Sequence, residues 1–170
     1  GNALRKNKNT RQIKRRLISL IFLLSCLSVF CLASLTASPN LPAFPGAEGF
    51  GAFTPGGRGG KVYKVTTLQD GGKGSLRSAI EAYGPRIIVF EVSGTIKLYG
   101  PLNIRNPYIT IAGQTAPGDG ICIYGYTTTV ETHDVIVRHL RFRLGDTNRV
   151  ETDSLWVNKA RNVIIDHVST

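Results

Sequence analysis

The chain has 170 residues, 42% of them hydrophobic, and a formal net charge of +10. That length suffices for one domain with a sizeable core. The charge does not mark nucleic-acid binding: residues 1–16 hold seven cations and no acid, which leaves a net charge of +3 on the other 154 residues. The chain begins on Gly1 rather than Met and ends in an apolar run, Asn162 to Ser169. Both ends read as cut from a longer protein.

Residues 1–37 form a leader. Its basic stretch, Arg5 to Arg16, precedes the uncharged run LISLIFLLSCLSVFCLASLTA (Leu17 to Ala37). A basic n-region, an apolar h-region and a small residue at Ala37 are the parts of a secretory signal peptide. Two other readings stand beside it: an uncleaved anchor, since about 20 apolar residues span a bilayer, and a lipoprotein signal with Cys26 as the lipidated residue. The expected location is therefore secreted, or else attached to the outer surface or a membrane. Cys26 and Cys31 lie in the leader, so the mature chain, 38–170, keeps only Cys122 and has no internal disulfide. Cys122 stands in the alternating run GICIYGY and reads as a small buried hydrophobe.

The stretch Ser38 to Ser75 is dense in Gly and Pro and contains one strand signal, Lys61 to Leu68. GGRGGK (Gly56 to Lys61) is not a phosphate loop. Pro55 replaces the first Gly of that motif, and Val62 follows the Lys where Ser or Thr is needed. SLRSAIEAYG (Ser75 to Gly84) predicts a short helix. Ser75 can cap it, Gly84 can end it, and Leu76, Ala79 and Ile80 make one narrow apolar face. Strand signals follow at Arg86–Leu98, Tyr108–Thr115, Gly120–Tyr126, Asp134–Gly145 and Asn162–Ser169, each rich in β-branched or aromatic residues.

Val89, Ile111, Val137 and Ile165 take similar places in these strands, at intervals of 22, 26 and 28 residues. NPYITIAG, THDVIVRH and ARNVIIDH echo one another. A mostly β repeat of this length, with no helix between strands, predicts an all-β solenoid: a right-handed parallel β-helix. An open solenoid end is an edge liability, and Leu76, Ala79 and Ile80 are placed to cover the first coil. The last coil is expected to be open.

The segments AFPGAEGFGAFTPGGRGGKVYKVTTL, GSLRSAIE, RIIVFEVSGTIKL, YITIAGQTAPGDGICI, VIVRHLRFRLGD and NVIIDHVS together resemble the N-terminal part of a secreted pectate lyase of the bacterial polysaccharide lyase family 1 type. The likeness covers Ala43 to Thr170, and FPGAEGFG and TIAGQTAPGDG are its most specific motifs. The resemblance implies cleavage of α-1,4-linked polygalacturonate by β-elimination, assisted by calcium, with an Arg as the base. Its partner is then pectate or a related acidic polysaccharide. Neither nucleic acid nor, for the mature domain, a membrane is expected, and the protein should be a monomer.

The same resemblance places the first calcium-binding acids in ETDSLWV. Asp153 matches the acid directly before the strand, and Glu151 the acid two positions earlier. Acids at i and i+2 of an extended chain point to one side, which suits a shared hard cation. Asp146 is a third acid nearby. The plainer reading is that all three are solvated turn carboxylates. Asp166-His167 matches the family's recurring DH element and reads first as a structural pair; His133 and His139 read as loop and strand-face residues. Arg138, Arg141 and Arg143 could face an anionic polysaccharide, and Trp156 could stack on a sugar, though a packed or partly exposed role is the commoner one. The family's catalytic Arg and remaining acids belong to coils after the DH element. No catalytic residue is therefore expected among these 170, and the chain alone should be inactive. Two alternatives remain: a polygalacturonase-type hydrolase, and a non-catalytic carbohydrate-binding or adhesive β-helix.

Overall fold

The computed structural model describes residues 41–146 and 152–170. Residues 1–37, expected to be a signal peptide ending at Ala37, and Glu151 lie outside the described residues. Among the described residues no helix is long and apolar enough to cross a membrane.

Among the described residues eleven strands and one short α-helix follow in the order β1 (Lys61–Val65), α1 (Leu76–Glu81), β2 (Arg86–Phe90), β3 (Gly94–Lys97), β4 (Leu102–Ile104), β5 (Ile109–Ala112), β6 (Ile121–Tyr124), β7 (Thr128–Val130), β8 (His133–Arg138), β9 (Leu140–Arg143), β10 (Leu155–Val157) and β11 (Arg161–Asp166). Three sheets result, with orders β1-β2-β5-β8-β11, β3-β6-β9 and β4-β7-β10, and every pairing is parallel. Each coil contributes one strand to each sheet in turn. The expected β-solenoid is thus present, with about four turns.

The sheet register corrects one expectation. Val89 is not in line with Ile111, Val137 and Ile165; Ile88 is. Val89 pairs with Ala112 on the outward-facing side of the pleat. Two long strand signals also break at corners. Arg86–Leu98 divides into β2 and β3, and Asp134–Gly145 divides at His139, whose φ of 54° turns the chain. The strands β4 and β7 have no counterpart in the sequence expectations, because three residues are too short to show a period of two.

Inward residues stack into columns. Ile88, Ile111 and Val137 are each at most 2% exposed, as are Ile96, Ile123 and Phe142 in the second sheet. Full burial of each such side chain contributes roughly 1.5–3 kcal/mol. The helix α1 closes the first coil as expected. Its Leu76, Ala79 and Ile80 are buried in the same core. Ser75 caps it by accepting a hydrogen bond from the Ser78 amide at 3.2 Å. Its C-terminal carbonyls meet Arg86, which is fully buried in the column of Ile109 and Val135. The guanidinium donates to the carbonyls of Ala79, Ile80, Gly84, Asn106 and Pro107 at 2.7–3.1 Å. Burial pulls the Arg86 pKa down, with Tyr63 working the other way. The five carbonyls use all five of its donors in number, and a guanidinium so placed keeps its charge.

The Gly-rich segment 41–60 is a strap over the outer face of the five-stranded sheet. Ile136 and Ile164 point outward there and are nevertheless 3% and 9% exposed. Glycine permits the close approach. A Cβ on Gly57 would collide with the Arg86 carbonyl, and one on Gly51 with the Val163 carbonyl. The Gly57 amide donates to Thr110 Oγ1 at 2.9 Å.

Replacing Arg86 with Met should destabilise the fold by about 3 kcal/mol or more, because the helix-end carbonyls lose charged donors while staying buried. Urea denaturation measures it. The opposite sign is expected at Thr128. Its hydroxyl is buried without a hydrogen-bond partner, in line with Leu102 and Leu155. Thr128→Val should raise stability by about 1 kcal/mol in the same assay.

Candidate functional site

Two corners of the third coil carry the polar residues that the sequence singles out, and they lie at opposite ends of β9. At its C-terminal end the chain leaves Arg143 and returns at β10. Asp153 stands just before β10, as expected, and is exposed. Its place is fixed by the neighbouring coil: the Thr128 amide donates to the Ser154 carbonyl at 2.9 Å, and Leu155 pairs with Thr128. Asp153 lines a cleft of about 280 Å³ with Phe142, Arg143, Ser154 and Thr170. Arg143 is on that wall but directs its guanidinium to the carbonyls of Phe142 and Ser169 and to Ser169 Oγ, at 2.7–3.0 Å. Among the described residues no cation pairs with Asp153. An exposed carboxylate without a cationic partner is a hard oxygen donor, so its chemistry fits calcium in kind; it supplies one or two of the 6 to 8 oxygens that ion takes. Asp146 is exposed on the same connection.

The sheet beside this cleft is β4-β7-β10. Trp156 is in register with Thr129 and Asn103 on its outer face and is 47% exposed. Trp156 is thus partly exposed rather than core. Arg141 and Arg143 do share a face, the outer side of β9. Arg138 does not belong with them, since it lies on β8. Cys122 is not a buried hydrophobe. It is half-buried and faces outward on β6, in register with Thr95 and Arg141.

The DH pair occupies the other corner. Asp166 ends β11 and pairs with Arg138 of the preceding coil at 2.6 Å and with His167 Nδ1 at 2.8 Å. Arg138 also lies over the Phe44 ring of the strap, 3.7 Å from its centroid. Burial acts against the Asp166 carboxylate ion, but the hydrogen bonds from His167 and Arg138, with their charges, outweigh it and hold the carboxyl below its ordinary range. The His139 and His167 rings stack at 4.6 Å. Burial first, then the charges of His167 and Arg138, pull the His139 pKa down against Asp166. His133 bonds Asp134 at 2.6 Å and meets Tyr108 edge-on, a structural role. The stack of His139 on His167 is absent from the sequence expectations. Its signal was the echo of VIVRH and VIIDH one coil apart.

No protein-family model matches the chain. It is 45% identical over 142 residues to a protein named probable pectate lyase C from Aspergillus flavus, which covers 83% of this chain and 33% of that protein. It is 48% identical over 130 residues to probable pectate lyase C of Aspergillus fumigatus, 76% of this chain and 30% of the relative. The likeness extends to plants: probable pectate lyase 12 of Arabidopsis thaliana is 29% identical over 142 residues, 71% of this chain and 29% of that protein. The chain is a homologue of the pectate lyases. It spans about a third of the length of the curated relatives it matches. The two corners are separate: the Asp153 cleft opens beside the outer face of β4-β7-β10, and the DH corner ties β11 to β8.

The Asp166 pair should show in a pH series. Its folded pKa is below the unfolded value of about 3.9, so its stabilising contribution is present above that pH and is lost as pH falls through the folded value. Asp166→Asn should therefore be less stable than wild type at pH 6, and the difference should shrink below about pH 4. Denaturant midpoints across pH 3–6 check this.

Proposed function

We propose that this chain forms the first coils of an exported, calcium-assisted pectate lyase, with residues 1–37 as its secretory signal. The observation that carries the proposal is the 45–48% identity to proteins named probable pectate lyase C over most of the chain. The position of Asp153, exposed in a cleft at the start of β10 and free of a cationic partner among the described residues, supports it.

The substrate is a polymer of galacturonate. In β-elimination a base removes the C5 proton, the C4–O bond breaks as the leaving oxygen takes up a proton to become a new reducing end, and a C4–C5 double bond remains in the sugar at the new non-reducing end. The C5 proton is α to a carboxylate, so negative charge builds on a group that is already anionic. Calcium, when bound, supplies the positive charge that offsets this build-up. Asp153 and Glu151 are the residues of this chain that would hold it. Asp153 is suited to that role because the Ser154 backbone bond to Thr128 fixes the chain beside it. Trp156 offers an exposed ring on the adjacent face for a sugar to lie against. The base is not assigned to any residue of this chain; the family resemblance implies an Arg on another coil.

The test uses the full-length protein with polygalacturonate, with and without calcium, following the ultraviolet absorbance of the unsaturated product. Calcium-dependent product is expected. Asp153→Asn should lower kcat/KM about 100-fold or more and change stability by no more than about 0.5 kcal/mol. New reducing ends without unsaturated product would mean hydrolysis. Binding without any product would mean a carbohydrate-binding β-helix. Either result overturns the proposal.

A further inference from the structure

The outer face of the sheet β3-β6-β9 carries charge of one sign. Its outward residues form two columns across the coils: Thr95, Cys122 and Arg141 in one, Lys97, Tyr124 and Arg143 in the other. Lys97, Arg141 and Arg143 are exposed, and the three strands contain no acid. At three other places a cation on one coil meets an acid on the next: Lys64 with Glu91, Arg105 with Glu131 and Arg138 with Asp166. On this face the ladder sets no acid opposite a cation. Among the described residues Lys97 and Arg141 have no carboxylate partner. Arg143 is held by the carbonyls of Phe142 and Ser169 and by Ser169 Oγ, none of which cancels its charge.

The three charges are close together. Arg141 and Arg143 stand two residues apart on one strand, about 7 Å, and Lys97 lies two coils before Arg143, about 10 Å away. The Debye length at physiological salt is about 8 Å, so neighbouring charges on the face reinforce one another. The face also joins two hollows. At the start of β9, Arg141 lines a cavity of about 410 Å³ with His139, His167 and Ser169, where Asp119 is the acid. At the end of β9, Arg143 lines the Asp153 cleft. The ligand that fits such a face is extended and carries carboxylates at short, regular intervals. Guanidinium groups take carboxylates through paired hydrogen bonds, and Thr95 adds an exposed hydroxyl for a sugar.

We propose that the outer face of β3-β6-β9 is a calcium-independent binding surface for a stretch of de-esterified polygalacturonate, with Lys97 and Arg141 as its main contacts. The surface lies beside the Asp153 cleft rather than in it. The proposal rests on the reading of the partner as an acidic polysaccharide, and not on the chemistry at Asp153. A carboxylate such as Asp153 needs a metal before it can hold a uronate; this face needs none. Its work is to keep the polymer near the cleft between encounters.

The experiment is a calorimetric titration of the full-length protein with polygalacturonate in EDTA, at low and high salt. Binding is expected, and it should weaken as salt rises. Lys97→Gln combined with Arg141→Gln should weaken it about fivefold with Tm unchanged. With calcium restored, the same variant should raise KM for the polymer and leave the rate on trigalacturonate as in wild type. Asp153→Asn should keep the calcium-free binding; its loss there would place the polymer in the cleft and overturn the proposal. So would a wild type that does not bind in EDTA, or a double variant that binds as tightly as wild type. Equal affinity for the fully methyl-esterified polymer, or for a DNA oligomer of matching length, also counts against it. Labelling decides without variants: protection of Lys97 from acetylation by bound polymer supports the proposal, and unchanged labelling refutes it. If the protein releases no unsaturated product while the double variant still loses binding, the lyase reading fails and this one stands.

Discussion

The parallel backbone ladder between successive coils governs everything else in this protein. Each strand satisfies its amides and carbonyls on the coil before and the coil after, so equivalent positions must stack. Stacking then decides residue type. Inward positions become columns of Ile, Val, Leu and Phe, and one apolar residue in a coil calls for another above it. At the first full coil the core is covered by the helix α1, whose C-terminal carbonyls must find donors. Arg86 supplies them. It stands where Ile109 and Val135 stand in later coils, yet its guanidinium reaches the open carbonyls at the end of α1 and binds the cap to the solenoid. A buried cation is costly unless every donor is used, and here five carbonyls use them.

The same ladder determines where chemistry can sit. The strap of residues 41–60 covers much of the outer face of the five-stranded sheet, and its glycines let it lie against the backbone. The corners of the solenoid are less constrained, because turns can lengthen without disturbing the ladder. Eleven residues separate β9 from β10, and Asp153 stands at the edge of the β4-β7-β10 sheet. The turn between β8 and β9 is a single residue, His139, and His167 takes the same place one coil later. One corner thus presents an exposed carboxylate to a cleft. The other builds a tied cluster of Arg138, Asp166, His139 and His167.

Much of this was legible in the residues. The repeat of 22 to 28 residues and the β-branched runs gave the solenoid, and Ser75, Leu76, Ala79 and Ile80 gave the cap, because capping and apolar spacing are local signals. The position of Asp153, just ahead of a strand, was legible from SLWV. What stayed hidden depended on contacts between distant residues. The sheet β4-β7-β10 was missed in two of its strands, since LNI and TTV are too short for a pattern. The sequence alone puts Val89 in the column one residue out of register, because a run such as RIIVF is apolar on both faces. The sequence places Cys122 inside for a related reason: alternation shows that two faces exist, but not which one a small residue takes. The role of the glycines in GGRGGK follows only from the carbonyls they touch.

The most direct measurement is a crystal structure of the full-length protein with calcium and an oligogalacturonate. Calcium is expected with an Asp153 oxygen among its ligands, at about 2.3–2.6 Å, and with the sugar lying along the outer face of β4-β7-β10 near Trp156. A sugar bound on another face, with Asp153 left in solvent and the cation elsewhere, would contradict the assignment of this corner as the functional site.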